Sequence, residues 1–164
     1  ATRKEADTSS EDDNAFSDEV SASLRVALAS EKSTADLKAD VLSMRLEMDA
    51  GRPPKSAWDV KRMQGGLTDI EFIEQTNALL AVRSERLEIS SGDVDVLADA
   101  ARSYRDIVQL LRLCVGDVWD VENLPIEVQA RLLRLFDLPD VKSAQTHLKR
   151  MAKSVRKIFL AAMK

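Results

Sequence analysis

Between Gly92 and Gly116 the apolar residues Val94, Leu97, Ala98, Ala101, Tyr104, Val108, Leu111 and Val115 recur in steps of three and four. That period matches the 3.6 residues per turn of an α-helix and lays one apolar stripe along it. A strand cannot use the same pattern, because its side chains change face at every residue. The stripe must be buried against other elements, so the chain has to fold around packed helices.

The rest of the chain supplies those partners. Phe16, Val20, Leu24, Ala27 and Leu28 fall at helical spacing. Asp36 is placed to cap a helix carrying Leu37, Val41, Met44 and Met48, which stops at Gly51 before Pro53-Pro54. A further helix is expected from Thr68 to about Arg86, and Ser91-Gly92-Asp93 caps the long one. Pro125 fits the first turn of a short helix with Val128, Leu132, Leu135 and Phe136. Pro139 opens the last, with Val141, Ala144, Leu148, Met151, Val155, Ile158 and Ala162. Short connections between amphipathic helices predict antiparallel neighbours. The expected fold is all-α, an up-and-down four-helix bundle core with additional helices. Trp58-Asp-Val-Lys is the only stretch that reads as extended.

Composition agrees with one such domain over residues 15–164. The 164 residues are 45% hydrophobic but only 4% aromatic, so the core is built from small and aliphatic side chains. Residues 1–14 are polar, with no apolar period, and are expected to form a disordered lead. The chain opens on Ala1 rather than Met, which reads as a piece of something longer. A net charge of −4 argues against a nucleic-acid binder, and no apolar run reaches the ~20 residues of a membrane span. The single Cys114 sits in an apolar run, so it is expected in the core and forms no intrachain disulfide, as fits a cytoplasmic protein.

Trp58 to Gln75 stands apart from this regular pattern. Here a Trp, the basic pair Lys61-Arg62 and the pair Gly65-Gly66 come directly before a helix opening Thr68-Asp69-Ile70-Glu71. Glycines permit φ > 0 and close backbone approach, and a helix start adds partial positive charge. Thr68 with Glu71 has the spacing of a capping box. Projected at 100° per residue, Asp69 falls among Phe72, Ile73, Thr76, Leu79 and Leu80, while Glu71 points away. A carboxylate on a buried face needs a partner; Lys61 and Arg62 are the nearest in sequence.

These residues carry a resemblance. Trp58-Asp-Val-Lys, then Gly65-Gly-Leu-x-Asp-Ile-Glu-Phe, then Gln75 is similar to the segment after the catalytic domain in bacterial glutamine synthetase adenylyltransferases. Asp36-Leu-Lys-Ala-Asp-Val-Leu-Ser-Met-Arg45 resembles the family's segment just upstream. Those enzymes are bifunctional, with an adenylylating and a deadenylylating half; the form with Asp69 is closer to the C-terminal, adenylylating half. The resemblance implies a helical domain that follows a nucleotidyltransferase catalytic domain. By resemblance the parent transfers AMP from Mg·ATP to a tyrosine of glutamine synthetase, under control of glutamine and a PII-type signal protein. Trp58, Lys61, Arg62, Gly65, Gly66, Asp69 and Glu71 would then line the active-site cleft or join the bundle to its own upstream catalytic domain. In the first case Lys61 and Arg62 face nucleotide phosphates, with Asp69 anchoring the loop through Lys61. Two features depart from the family pattern: Asn77, and a short link from Leu87 to Gly92.

Nucleotidyl transfer needs carboxylates that hold Mg²⁺ on the triphosphate, which this superfamily places on a Gly-Ser turn and an Asp-x-Asp strand. The chain has no Gly-Ser pair, and Asp93-Val94-Asp95 sits at a helix start where acids are expected anyway. No catalytic residue, metal site or cofactor of its own is therefore expected here; Mg²⁺ and ATP belong to the parent enzyme. Lone His147 lacks a second ligand at metal spacing. Trp58 and Trp119 are read as loop anchors. From Pro139 to Lys164 the charge is net +6, leaving −10 elsewhere, with Lys142, Lys149, Arg150, Lys153, Arg156 and Lys157 on one face. That face is either solvated or a docking stripe for an acidic partner such as glutamine synthetase or a regulator. Two other readings of the chain stay open: a stand-alone helical interaction module, and the helical part of a PII-modifying nucleotidyltransferase.

Overall fold

A computed structural model describes residues 32–115 and 121–164. The lead at 1–14, the helix expected from Phe16 to Leu28, Gly116 and Trp119 lie outside the described residues. The elements are α1 (Thr34–Gly51), α2 (Leu67–Ala81), α3 (Ser91–Val115), a 3-10 turn (Val121–Asn123), α4 (Ile126–Arg134) and α5 (Val141–Ala162). No strand occurs among the described residues, and the all-α bundle expected from the periodicity is what forms. Trp58-Asp-Val-Lys is not extended: it is a series of tight turns.

Local chemistry sets the helix starts, often one residue from where the pattern put them. Ser33, not Asp36, caps α1, with its hydroxyl accepting from the Asp36 amide. Ser90 caps α3, its Oγ accepting from the Asp93 amide at 3.1 Å. Pro125 lies just outside α4 as its N-cap, and Asp140 caps α5 by accepting from Ser143 N. α2 ends at Ala81, five residues before the expected Arg86, where Ser84 takes φ +59 and the chain turns back. Asn77 explains itself here: its Oδ1 accepts from the Leu87 amide at 2.8 Å and ties the returning chain to the helix.

α2 is the central element, touching α1, α3 and α5, while α5 also packs on α3 and α4. α1 and α2 run antiparallel. Arg83 just past the end of α2 donates to the Lys32 carbonyl before α1, and Arg45 late in α1 reaches Asp69 early in α2. α3 buries Leu97, Ala100, Ala101, Tyr104, Ile107 and Leu111, so its inner face is turned from the expected one. Val94 and Ala98 are exposed, as is Cys114, which overturns its expected place in the core. α5 meets its pattern closely, burying Ala144, Leu148, Ala152, Val155, Ile158, Phe159 and Ala162.

The glycine pair is fixed by packing. Gly65 has φ +75, and a Cβ there would lie 1.8 Å from the Ala152 carbonyl oxygen of α5. A Cβ on Gly66 would lie 2.3 Å from the Val60 oxygen. The chain thus presses its backbone onto α5 at a distance only glycine allows. Gly65→Ala is expected to cost about 2–4 kcal/mol from left-handed strain plus overpacking. Gly92→Ala, with nothing within 4 Å, should leave stability unchanged or raise it by up to about 1 kcal/mol. Urea denaturation of the two variants checks both.

Candidate functional site

Asp69 is 0% exposed, and donors reach it from three parts of the chain. Arg45 Nε of α1 lies 2.5 Å from Oδ1, while the Gly65 amide and Arg156 Nη1 of α5 reach Oδ2 at 2.8 and 3.0 Å. Arg45 also pairs with Asp49, one turn on, and Arg156 Nη2 closes the ring on Asp49 at 3.5 Å. Two guanidiniums and two carboxylates alternate, so the cluster is neutral. Arg45 Nη2 further donates to the carbonyls of Arg62 and Met63, at 3.2 Å each. Arg156 stacks 5.2 Å over the Phe159 ring.

This arrangement corrects three expectations. Asp69 is not anchored by Lys61, which is exposed; Arg45 and Arg156 hold it. Arg156 therefore leaves the basic face of α5 and works at its edge. The Thr68–Glu71 capping box does not form, because Gly66 is the N-cap and Thr68 Oγ1 donates to the Lys61 carbonyl at 2.8 Å. The glycine amides are also committed: Gly65 N to Asp69 and Gly66 N to the Met63 carbonyl at 2.9 Å. They make no free cradle for a phosphate. Carbonyls of Val60, Lys61 and Gly66 take the next three amides of the helix start.

Trp58, Asp59 and Val60 are buried, with Asp59 satisfied by the amides of Lys55 and Arg62. Tyr104 OH donates to the Gly65 carbonyl at 3.0 Å. Burial, and then the neighbouring Asp69 charge, hold that phenol above its ordinary value of 10.0.

The outer side of the same segment is different in kind. An open groove of about 570 Å³ runs between α1, the turn region, α2 and α3. Its rim carries exposed Arg52, Lys55, Lys61, Arg62 and Arg112, with half-buried Glu71 and buried Asp59 as the acids in its lining. Phe72 and Val108 give it an apolar wall. The structure thus brings Lys61, Arg62 and Glu71 to one surface and puts Trp58, Gly65, Gly66 and Asp69 beneath it. Arg45, Asp49, Arg52, Lys55 and Arg112 were missed from sequence. Arg45 was detectable, standing one turn after Val41 on the buried face of α1. The remaining α5 cations, Lys142, Lys149, Arg150, Lys153 and Lys157, are exposed on a helix that does not line the groove.

Comparison with known proteins bears on this segment. The chain is 32% identical over 150 residues to a bifunctional glutamine synthetase adenylyltransferase/adenylyl-removing enzyme of Rhizobium meliloti (strain 1021), covering 80% of this chain and 15% of that one. The enzyme of the same name from Agrobacterium fabrum is 30% identical over 155 residues, covering 84% of this chain and 16% of its own length. That of Rhodopseudomonas palustris (strain HaA2) is 36% identical over 137 residues, covering 73% and 14%. The chain is homologous to one segment of this enzyme family. It spans about one sixth of the length of these relatives. No family model and no solved structure matches it. No helix among the described residues is long and apolar enough to cross a membrane.

Two outcomes follow from the adenylyltransferase segment's buried chemistry. Asp69→Asn leaves Arg45 and Arg156 to share Asp49, with one charge uncompensated, and is expected to cost about 3–5 kcal/mol, whereas Asp49→Asn, partly hydrated, should cost about 1–2 kcal/mol. Tyr104 titrates in the unfolded chain near 10.0 but stays protonated above that when folded, so unfolding releases a proton there. Above pH 10 wild-type stability should therefore fall by up to about 1.4 kcal/mol per pH unit more than that of Tyr104→Phe. Denaturant titrations at pH 8 and at pH 10–11.5 read both effects.

Proposed function

We propose that this chain is the helical segment that follows the catalytic domain in the adenylylating half of a glutamine synthetase adenylyltransferase. In that reading its groove forms one wall of the cleft in which AMP passes from ATP to a tyrosine of glutamine synthetase. The observation that carries the reading is that the segment's own Lys61 and Arg62 point outward beside Arg52, Lys55 and Arg112. None of these five side chains has an ion-pair partner among the described residues. Such a donor set suits a polyphosphate, which cations stabilise most where charge moves during transfer. ATP supplies the adenylyl group; this chain's residues would orient its phosphates and shield them from water along Phe72 and Val108.

No group of three or more His, Cys, Asp or Glu side chains among the described residues is placed to hold a metal ion. In this reading Mg²⁺ and its chemistry belong to the parent's catalytic domain. Control by a PII-type protein and a cytoplasmic setting belong to the same reading.

The test is a segment exchange. This chain replaces the matching segment of the Rhizobium meliloti enzyme, and AMP incorporation into glutamine synthetase is measured. The exchange should retain activity. Lys61→Glu with Arg62→Glu should then lower turnover on the order of 10²-fold with an unchanged melting temperature. Full turnover in that double variant would reduce the segment to a joint between domains.

A further inference from the structure

α5 holds six basic residues and not one acid over Val141–Ala162. Arg156 is neutralised by Asp69 and Asp49, but Lys142, Lys149, Arg150, Lys153 and Lys157 are exposed and form no ion pair among the described residues. Taken at 100° per residue, these five lie within an arc of about 100°, opposite Ala144, Leu148 and Val155. Exposed Leu160 lies in the same arc, at 39% exposure.

An ordinary solvated helix face interleaves both signs, since opposite charges one turn apart stabilise it and like charges destabilise it by similar amounts. Here Lys149–Lys153 and Lys153–Lys157 are like pairs at i,i+4, and Arg150–Lys153 is one at i,i+3. Lys142 stands in the first turn, where the helix dipole disfavours a cation. The cost is borne in a chain of net charge −4, yet the helix itself carries no acid, and its N-cap Asp140 stands beside Lys142 at one end of the stripe. The arrangement gains energy only when an external anion covers it.

We infer that this lysine face of α5 is a docking surface for an acidic face of a folded protein partner. Lys142 to Lys157 spans about 22 Å along the helix axis, about the width of a protein contact patch. All five cations lie on one face of one helix within that span, so a single compact acidic surface can cover them together. No residue of α5 lines the groove, so the inference is independent of the proposed function, and the two can fail separately.

The experiment uses this whole chain. A labelled 20-residue polyglutamate peptide serves as the probe, and fluorescence anisotropy is read from low to moderate salt. The variants are Lys149→Glu/Lys153→Glu/Lys157→Glu on the stripe and, as a charge-matched control outside both basic surfaces, Arg86→Glu/Arg131→Glu, each first checked by circular dichroism and melting. Stripe reversal should weaken binding on the order of tenfold or more and flatten its salt dependence, while the control reversal leaves both nearly unchanged. Should the triple reversal unfold, Lys149→Gln/Lys153→Gln must still weaken binding several-fold. Equal loss from the stripe and the control would show diffuse charge and overturn the assignment. So would tighter binding of a 12-nucleotide single-stranded DNA or of phosphatidylserine vesicles than of polyglutamate.

Discussion

The buried carboxylate of Asp69 is the constraint around which the other elements are arranged. Water cannot reach it, and a bare carboxylate in that position would be intolerable. Its donors come from α1, from the turn before α2, and from α5, where Arg156 lies 87 positions further along the chain. Satisfying it therefore requires three distant segments to be in register at once. A neutral ring of two arginines and two aspartates gives little net stability over a packed apolar substitute, but breaking one member is costly. The ring accordingly acts on uniqueness: a bundle slid by one helical turn would leave a charge unpaired inside.

From that centre the unusual features of the Trp58–Gln75 segment follow. Gly65 must offer its amide to Asp69 and its carbonyl to Tyr104 while lying against the Ala152 carbonyl. No side chain fits all three demands. Gly66 has to turn beneath Val60 so that the carbonyls of Val60 and Lys61 can meet the amides opening α2. With its inner half committed in this way, the segment can present Lys61 and Arg62 outward on a rigid base. A rigid base is what a charged binding or catalytic surface needs, because preorganised donors lose little on meeting their ligand.

The sequence made the helices legible because their burial is set by apolar spacing, and α5 shows this best. It was less able to show their rotation. In α3, Ala98 and Val94 continue the apolar rhythm yet face solvent, and Ala100 and Ile107 are buried in their place. Alanine contributes little to a pattern in either direction, so neighbours decided the face. α1 was harder again: Met44 and Met48 are substantially exposed while Arg45 is buried, the reverse of what hydropathy predicts. Periodicity could place Asp69 on a buried face but not name its partners. Those partners lie far along the chain, and proximity in sequence favoured Lys61. Asn77 and Thr68 were misread for a related reason, since their roles depend on where the Leu87 amide and the Lys61 carbonyl return.

Charge is distributed in this molecule by a simple division. The buried cations meet acids at the ring, where the low-dielectric interior makes pairing obligatory, while exposed pairs such as Arg105–Glu74 are optional. The cations on the groove rim and along α5 form no ion pairs among the described residues, although acidic residues outnumber basic ones in the whole chain. Solvent screens them enough for the fold to tolerate the repulsion. Stability alone would favour interleaving the signs, as the Arg102–Asp99 pair on α3 does. Two uncompensated basic surfaces on one acidic protein are thus better explained by what each meets than by how the bundle folds.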